Sequence, residues 1–390
     1  MGATRLTMTT IPAPKRVQSI DILRGAIMVL MAIDHVRVYS GLPAVGPDPG
    51  IFFTRWVTHF CAPGFVFFAG TAAFLYGQKI GDTKILQRYL ITRGLLLVFL
   101  ELTLIRFGWT FNFNYGEFTL AGVIWMLGCC MVLMALFIRL RPVVIGGIGL
   151  GIIFFQQLFS LVPRTLPDSL SVVKSLWEFI YTSGNEPPTG ITILYVLVPW
   201  IGVMLTGYGF GAILLLAPEK RNRLCIRIGA AAIIIFGVVG TIVILISPVQ
   251  PESPPFIFRL LNQQKYPASQ LFLLMTIGPL LALIPWTEKA HGKIADALTI
   301  FGKVPFFYYL LHIPLIHVSA LLVNFFVDGT AHQEWYATAP FVWVPDEAAR
   351  WSLSLLYFVF VIDVVMLYFS CRWYMRYKFS HPENKWLKYV

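Results

Sequence analysis

The sequence predicts an all-α polytopic membrane protein of about ten transmembrane helices with both termini cytoplasmic. Three observations carry that prediction. Of the 390 residues, 57% are hydrophobic and only 13% charged, against about 25% charged in a soluble domain. Mean hydropathy is +0.73. The apolar runs are about 20 residues long, the length a helix needs to cross a bilayer. A membrane barrel would instead show alternating segments of about ten residues, and isolated backbone in lipid is satisfied internally only by helices.

Ten spans are predicted, over 21–40, 57–77, 89–107, 119–138, 142–161, 191–216, 226–246, 269–286, 298–325 and 350–372. Breaker-rich stretches separate them: "GLPAVGPDPG", "SGNEPPTG", "APEKRNR" and "SPVQPESPP". Residues 1–16 read as a disordered cytoplasmic tail rather than a cleaved signal, because no apolar segment adjoins a cleavage site. Residues 17–375 read as one transmembrane domain, and 376–390 as a basic cytoplasmic tail.

Charge orients the spans. With Lys15 and Arg16 inside, alternate turns carry Lys79, Lys84 and Arg88; Arg139 and Arg141; Lys220, Arg221 and Arg223; and Lys289 and Lys293. The opposite side holds a thin scatter that includes Arg37, Arg55, Arg106, Arg259 and Lys265. Lys and Arg concentrate on cytoplasmic loops, so the net charge of +11 reports anionic lipid, not nucleic acid. The expected location is a cytoplasmic (inner) membrane. The five cysteines lie in or beside apolar runs and read as small buried hydrophobes.

That orientation gathers ionisable groups toward the outer side. Asp34 and His35 end the first span, His59 starts the second, Glu101 and Arg106 lie in the third, and His317 lies in the outer half of the ninth. Intramembrane ionisable groups are costly and face a cavity or one another, which predicts an outward-facing polar pocket.

Each motif has a structural and a functional reading. In "SIDILRG", Asp21 and Arg24 share a helix face and can pair; Arg24 can equally meet an anionic ligand, since its planar charged fork suits phosphate. Asp21 and His35 stand about 21 Å apart on one helix. Asp34 can orient His35 or His59, or simply end the span. Gly64 and Gly70 permit close helix packing or close ligand approach. Glu101 is a site residue or half of a buried ion pair with Arg106. "FGKVPFFYYLLHIPLIH" holds Tyr309, His312 and His317. Its histidines are not spaced for a metal-binding helix face, and no metal site is expected. Pro314 between them is expected to kink the helix. No nucleotide-binding loop or nucleophile-elbow motif is present.

Taken together, "SIDILRG", "MAIDH", "RWVTHFCAPGFVFFAG", "RGLLLVFLEL", "IWMLGCCMVLMAL" and "FGKVPFFYYLLHIPLIH" resemble the bacterial branch of the heparan-alpha-glucosaminide N-acetyltransferase family of transmembrane acyltransferases. The resemblance runs in order over residues 17 to 320. It implies transfer of acetyl from cytoplasmic acetyl-CoA, as co-substrate, to a sugar or amine acceptor across the membrane. The family's lysosomal enzyme carries its catalytic histidine in the loop after the first span, where this chain has none. Aligning the flanking blocks puts His35 on an asparagine and His59 on an aspartate of that enzyme. The resemblance thus implies a shifted histidine that accepts the acetyl, direct transfer with histidine as base, or another reaction.

On that reading His35, His59 and Asp34 carry the chemistry. Arg24, Arg55, Glu101, Tyr309, His312 and His317 line the acyl-CoA path. The rival from a different class is a proton-coupled transporter or flippase for an amphipathic anion or glycan, with the histidines as relays. The expected partners are the acyl-CoA donor, a glycan or amine acceptor and the lipid bilayer, with no nucleic acid. A second copy of the chain stands as a candidate partner, as a homodimer.

Overall fold

A computed structural model describes residues 18–44, 48–248 and 253–388. Sixteen α-helices follow in order among them: α1 (Gln18–Tyr39), α2 (Pro49–Trp56), α3 (Cys61–Ile80), α4 (Thr83–Leu100), α5 (Arg106–Thr110), α6 (Val123–Met134), α7 (Pro142–Phe154), α8 (Val162–Thr165), α9 (Ser171–Trp177), α10 (Trp200–Leu214), α11 (Pro218–Ile246), α12 (Phe256–Leu261), α13 (Gln270–Thr287), α14 (Lys293–Lys303), α15 (Pro305–Asp328) and α16 (Leu353–Ser380). Two short strands, β1 (Thr119–Ala121) and β2 (Ile191–Ile193), pair in parallel with Thr119 opposite Ile191.

The chain is a multi-pass, all-α membrane protein. Among the described residues, five helical stretches are long and apolar enough to cross a membrane: Pro49–Ile80, Pro218–Ile246, Gln270–Thr287, Pro305–Asp328 and Glu347–Ser380. A sixth counts if Pro142–Phe154 and Gln156–Thr165, bent by 58°, form one span. Val123–Met134 and Trp200–Leu214 are shorter apolar helices.

Several predicted boundaries need correction. The stretch 298–325 is not one helix: α14 ends at Lys303, Val304 leaves helical geometry (φ −131°, ψ 48°), and Pro305 starts α15. A proline at the first helical position has no N–H to give to the preceding turn. The stretch 191–216 begins as β2 and turns helical only at Trp200, after Pro199. Residues 119–121 are strand, and helix begins at Val123. The second span starts earlier than predicted: Asp48 caps α2 by accepting from the Ile51 amide, and a 3₁₀ turn over Val57–Phe60 joins it to α3. α15 runs without a break through Pro314. α16 continues to Ser380, so the basic stretch from 376 is helical at its start. The predicted N-terminal tail, with Lys15 and Arg16, lies outside the described residues, as do parts of the loops at 45–47 and 249–252.

Glycines let the central helices touch backbone to backbone. A Cβ on Gly70 would stand 2.0 Å from the Met204 carbonyl oxygen, and one on Gly207 would stand 2.0 Å from that of Phe67, so α3 and α10 cross there at closest approach. A Cβ on Gly64 would stand 2.3 Å from Ile27 Cδ1, so there α3 packs closely on a side chain of α1. Gly64 and Gly70 therefore serve helix packing. α1 is the central post, with fourteen of its residues buried, Asp21 and Arg37 among them.

Candidate functional site

Two cavities flank the middle of α1. The first, of about 400 Å³, is lined by Asp34, His35, Arg37, Arg55, His59, Glu101, Tyr195, Lys265 and Tyr309 among others. The second, of about 280 Å³, is lined by Arg24, Tyr76, Tyr89, Arg93, Phe306 and Tyr309 among others. Phe65, Val123 and Tyr309 belong to both walls. The two therefore share a wall there, one lying toward the start of α1 and one toward its end.

The helices place these groups by simple antiparallel packing. On α1, Arg24 falls in the second cavity and His35, about three turns on, in the first. α3 runs the other way: the 3₁₀ turn that leads into it puts Thr58 and His59 beside the first cavity, and its far half puts Tyr76 beside the second. α4 runs parallel to α1, taking Tyr89 and Arg93 to the second cavity and ending at Glu101 in the first. At Glu101–Ile105 the helix widens into a π-turn, a feature common at functional sites.

His35 Nδ1 lies 2.7 Å from His312 Nε2. The rings lie within 22° of parallel, edge to edge with centroids 4.8 Å apart, and Trp109 packs edge-on against His35, also at 4.8 Å. His312 is fully buried, and its Nδ1 lies 2.7 Å from the Tyr309 carbonyl and 3.2 Å from that of Tyr308. His59 is 3% exposed. Its Nδ1 faces the carbonyls of Arg55 (3.2 Å) and Trp56 (3.1 Å), while its Nε2 is buried with no partner among the described residues.

Asp34 does not orient either histidine. Arg37 donates to it from Nε at 3.0 Å and Nη2 at 2.9 Å, and gives Nη1 to the Leu42 carbonyl at 3.0 Å. Residues three apart share a helix face, so the carboxylate meets the guanidinium on its own helix; His35 bonds to His312 instead.

Glu101 is 2% exposed and does not pair with Arg106. It lies against the backbone amides of Gly122 and Ile124 at the start of α6, where unpaired N–H groups and the helix dipole favour an acid. A Cβ on Gly122 would stand 2.0 Å from its Oε1, so only glycine leaves the carboxyl room. Arg106 holds the turn into β1 instead. It donates to the carbonyls of Phe118 (2.9 Å) and Asn114 (2.7 Å) and to Asn112 Oδ1 (2.7 Å). β2 then carries the chain to Leu194 and Tyr195, which complete that wall.

Arg24 pairs with Asp21 at 2.5 Å while lining the second cavity, so it fits its structural reading and its cavity reading together. Arg93 there donates to Tyr89 Oη at 2.8 Å. His317 lines neither cavity. It stacks on Phe111 at 4.0 Å, contacts Tyr39 at 4.9 Å, and has Gln333 Oε1 3.1 Å from its Nε2.

Lys265 and Tyr195 in the first cavity, and Tyr76, Tyr89 and Arg93 in the second, are among the wall residues that sequence reasoning missed as site residues. Lys265 Nζ sits 5.2 Å from the Tyr266 ring centroid and 6.0 Å from that of Tyr195. Burial pulls its ammonium down, but Tyr266 and Asp34 outweigh burial and leave its pKa raised. It is therefore a cation at neutral pH. Lys265 lies in a loop where no spacing rule marks it; its only sequence signal is being a cation on the sparsely charged outer side.

Fold and site define a multi-pass membrane protein with two cavities that share a wall beside one central helix. The pattern of heparan-alpha-glucosaminide N-acetyltransferase, catalytic, matches residues 16–246, more than half of the chain. The chain belongs to that family, a family of membrane acetyltransferases. No curated protein matches it.

Proposed function

We propose that the protein transfers an acetyl group from acetyl-CoA, bound from the cytoplasm in the second cavity, to a hydroxyl or amine acceptor in the first. The observation that carries this reading is the wall the two cavities share at Phe65, Val123 and Tyr309. Arg24 and Arg93 stand on one side of it and the rings of His35 and His59 on the other. Arg24 and Arg93 suit the phosphates of CoA, with the aromatic rings of Tyr76 and Tyr89 nearby. The pantetheine arm then points past Tyr309 and brings the thioester to the first cavity.

The reaction balances on this chain's own groups. A ring nitrogen of a neutral histidine takes the proton of the acceptor O–H or N–H, and the freed lone pair attacks the thioester carbonyl carbon. Arg55 and Lys265 stabilise the negative charge that develops on the carbonyl oxygen. The C–S bond breaks, and the departing thiolate takes the proton back from the imidazolium. Asp34 keeps the Arg37 guanidinium neutralised, so Arg55 and Lys265 are the cavity's cations without an ion pair among the described residues.

The test is binding of acetyl-CoA and of desulfo-CoA to purified protein in detergent, with Arg24→Ala and Arg93→Ala alongside. Saturable binding, weakened by either arginine change, supports the reading. No binding of acetyl-CoA up to millimolar concentration overturns it and returns the chain to the transport reading.

A further inference from the structure

The acyl-transfer reading leaves two histidines competing for the role of base. Their hydrogen bonds separate them. His312 Nδ1 faces two carbonyl oxygens, of Tyr309 at 2.7 Å and Tyr308 at 3.2 Å. Carbonyls only accept, so Nδ1 carries a hydrogen. The rings are side by side with no carboxylate bonded to either, since Asp34 is taken by Arg37. With one hydrogen per ring, His312 Nε2 is a lone pair and must accept. The 2.7 Å contact to His35 Nδ1 is then a His35 Nδ1–H donating to His312 Nε2. One tautomer of His35 is left: hydrogen on Nδ1, lone pair on Nε2.

That Nε2 makes no hydrogen bond among the described residues and is not among the walled-in nitrogens. His35 lines the first cavity and is only partly buried. His59 Nε2 is also a lone pair by the same logic, but it is walled in. We infer that His312 is a positioning residue: the Tyr309 carbonyl, His312 and His35 form a chain that aims a single lone pair, His35 Nε2, at the acceptor. His35 is the base. His312 steadies the imidazolium formed when His35 takes a proton, as a buried orienting group does for other catalytic histidines. The chain also ties the two cavities together, because Tyr309, whose side chain lines both, supplies the carbonyl that sets the tautomer.

The catalytic meaning rests on the acyl-transfer reading, but the tautomer does not, so its test needs no turnover. With seven histidines in the chain, ¹⁵N-histidine protein in bilayers gives a resolvable spectrum. His35→Asn and His312→Gln assign the two rings by difference. The expected result is a protonated Nδ1 on His35 with through-bond coupling to an unprotonated Nε2 of His312. A protonated Nε2 on His35, or no coupling between the rings, overturns the inference even if acetyl transfer is confirmed. In turnover, His312→Gln keeps an acceptor and is expected within about tenfold of the unaltered rate. His312→Phe removes it and is expected to lose on the order of 10²-fold or more in kcat, with KM for acetyl-CoA unchanged. Equal losses in both variants, or a loss confined to KM, overturn the positioning role. Should His312→Phe not fold, the coupling in the unaltered protein decides alone.

Discussion

The two cavities beside α1 differ in how their polar groups are satisfied. In the second, both arginines already have protein partners: Arg24 pairs with Asp21 at 2.5 Å, and Arg93 donates to the Tyr89 hydroxyl. In the first, polar atoms are left over. His59 Nε2 and Glu101 Oε2 are buried without a partner, His35 Nε2 is open, and Arg55 and Lys265 have no ion pair among the described residues. Leaving a buried polar atom unpaired costs about 1–3 kcal/mol. A fold that keeps several in one 400 Å³ cavity is holding groups for something that is not protein. That contrast supports the proposed division, with donor binding in the second cavity and chemistry in the first.

The contrast breaks most visibly at His35. His35→Ala is expected to lower acetyl transfer by about 10²–10⁴-fold, the range for a general base, while acetyl-CoA binding stays within about twofold. Titration calorimetry and a CoA-release assay on the same preparation read both. Loss of binding along with turnover would make the two cavities one binding site and erase the division. The mirror experiment is Arg93→Ala. Removing a charge-assisted contact to phosphate costs about 1.5–3 kcal/mol, so acetyl-CoA affinity should fall roughly 10- to 100-fold. Turnover at saturating donor should be nearly unchanged. A kcat loss as large as the affinity loss would contradict the assignment.

Which parts of this were legible in the sequence follows from what is local. α11, α13 and α16 fall where uninterrupted apolar runs of span length lie, because lipid imposes one length on them. The Asp21–Arg24 pair follows from a spacing of three. The same spacing joins Asp34 to Arg37, and reading Asp34 toward a histidine overlooked it. The break at Val304 was not legible: Pro305 reads equally as a residue within a helix or at its start, and only the tertiary position of α14 against α1 decides. Gly25 meets the Leu298 backbone and Gly302 that of Asp21. The bond between His35 and His312 spans 277 positions, beyond any periodicity. The family match also ends at residue 246, so Lys265, Tyr309 and His312 lie outside it. Residue type alone marked Tyr309 and His312, and only its place among the few outer-side cations marked Lys265.

Lys265 gives a smaller effect that sharpens the assignment of charge. Lys265→Met keeps the length of the side chain and removes the cation. If Lys265 stabilises the carbonyl oxygen as negative charge develops, kcat should fall about tenfold to a hundredfold, less than for an oxyanion donor acting alone, because Arg55 remains. Donor affinity should not move. If affinity for acetyl-CoA falls instead, Lys265 belongs with the phosphate-binding arginines, and the first cavity is not where the thioester is attacked.

The smallest expected effect on turnover is at His317, and it tests the comparison from outside both cavities. His317 shares α15 with His312 and lies five positions along, so residue type and proximity give the two the same standing. Their surroundings do not. His317 stacks on Phe111 at 4.0 Å and meets Tyr336 edge-on at 5.2 Å. Its two nitrogens face Gly108 O at 3.4 Å and Gln333 Oε1 at 3.1 Å. Gln333 in turn donates to the Thr110 carbonyl at 2.8 Å, so His317 ties the segment after α15 to the end of α5. Its function is architectural: inside an aromatic box, its Nε2–H donates to Gln333 Oε1, whose amide nitrogen is committed to Thr110. His317→Phe keeps the stacking and drops that bond. Stability should fall by about 1–3 kcal/mol, the penalty for leaving a buried partner unmatched, read as a lower midpoint of thermal unfolding in detergent. Transfer per folded molecule should stay within about twofold. A loss approaching that of His35→Ala would place His317 in the reaction, and polar satisfaction would no longer separate the histidines that react from those that only hold the fold.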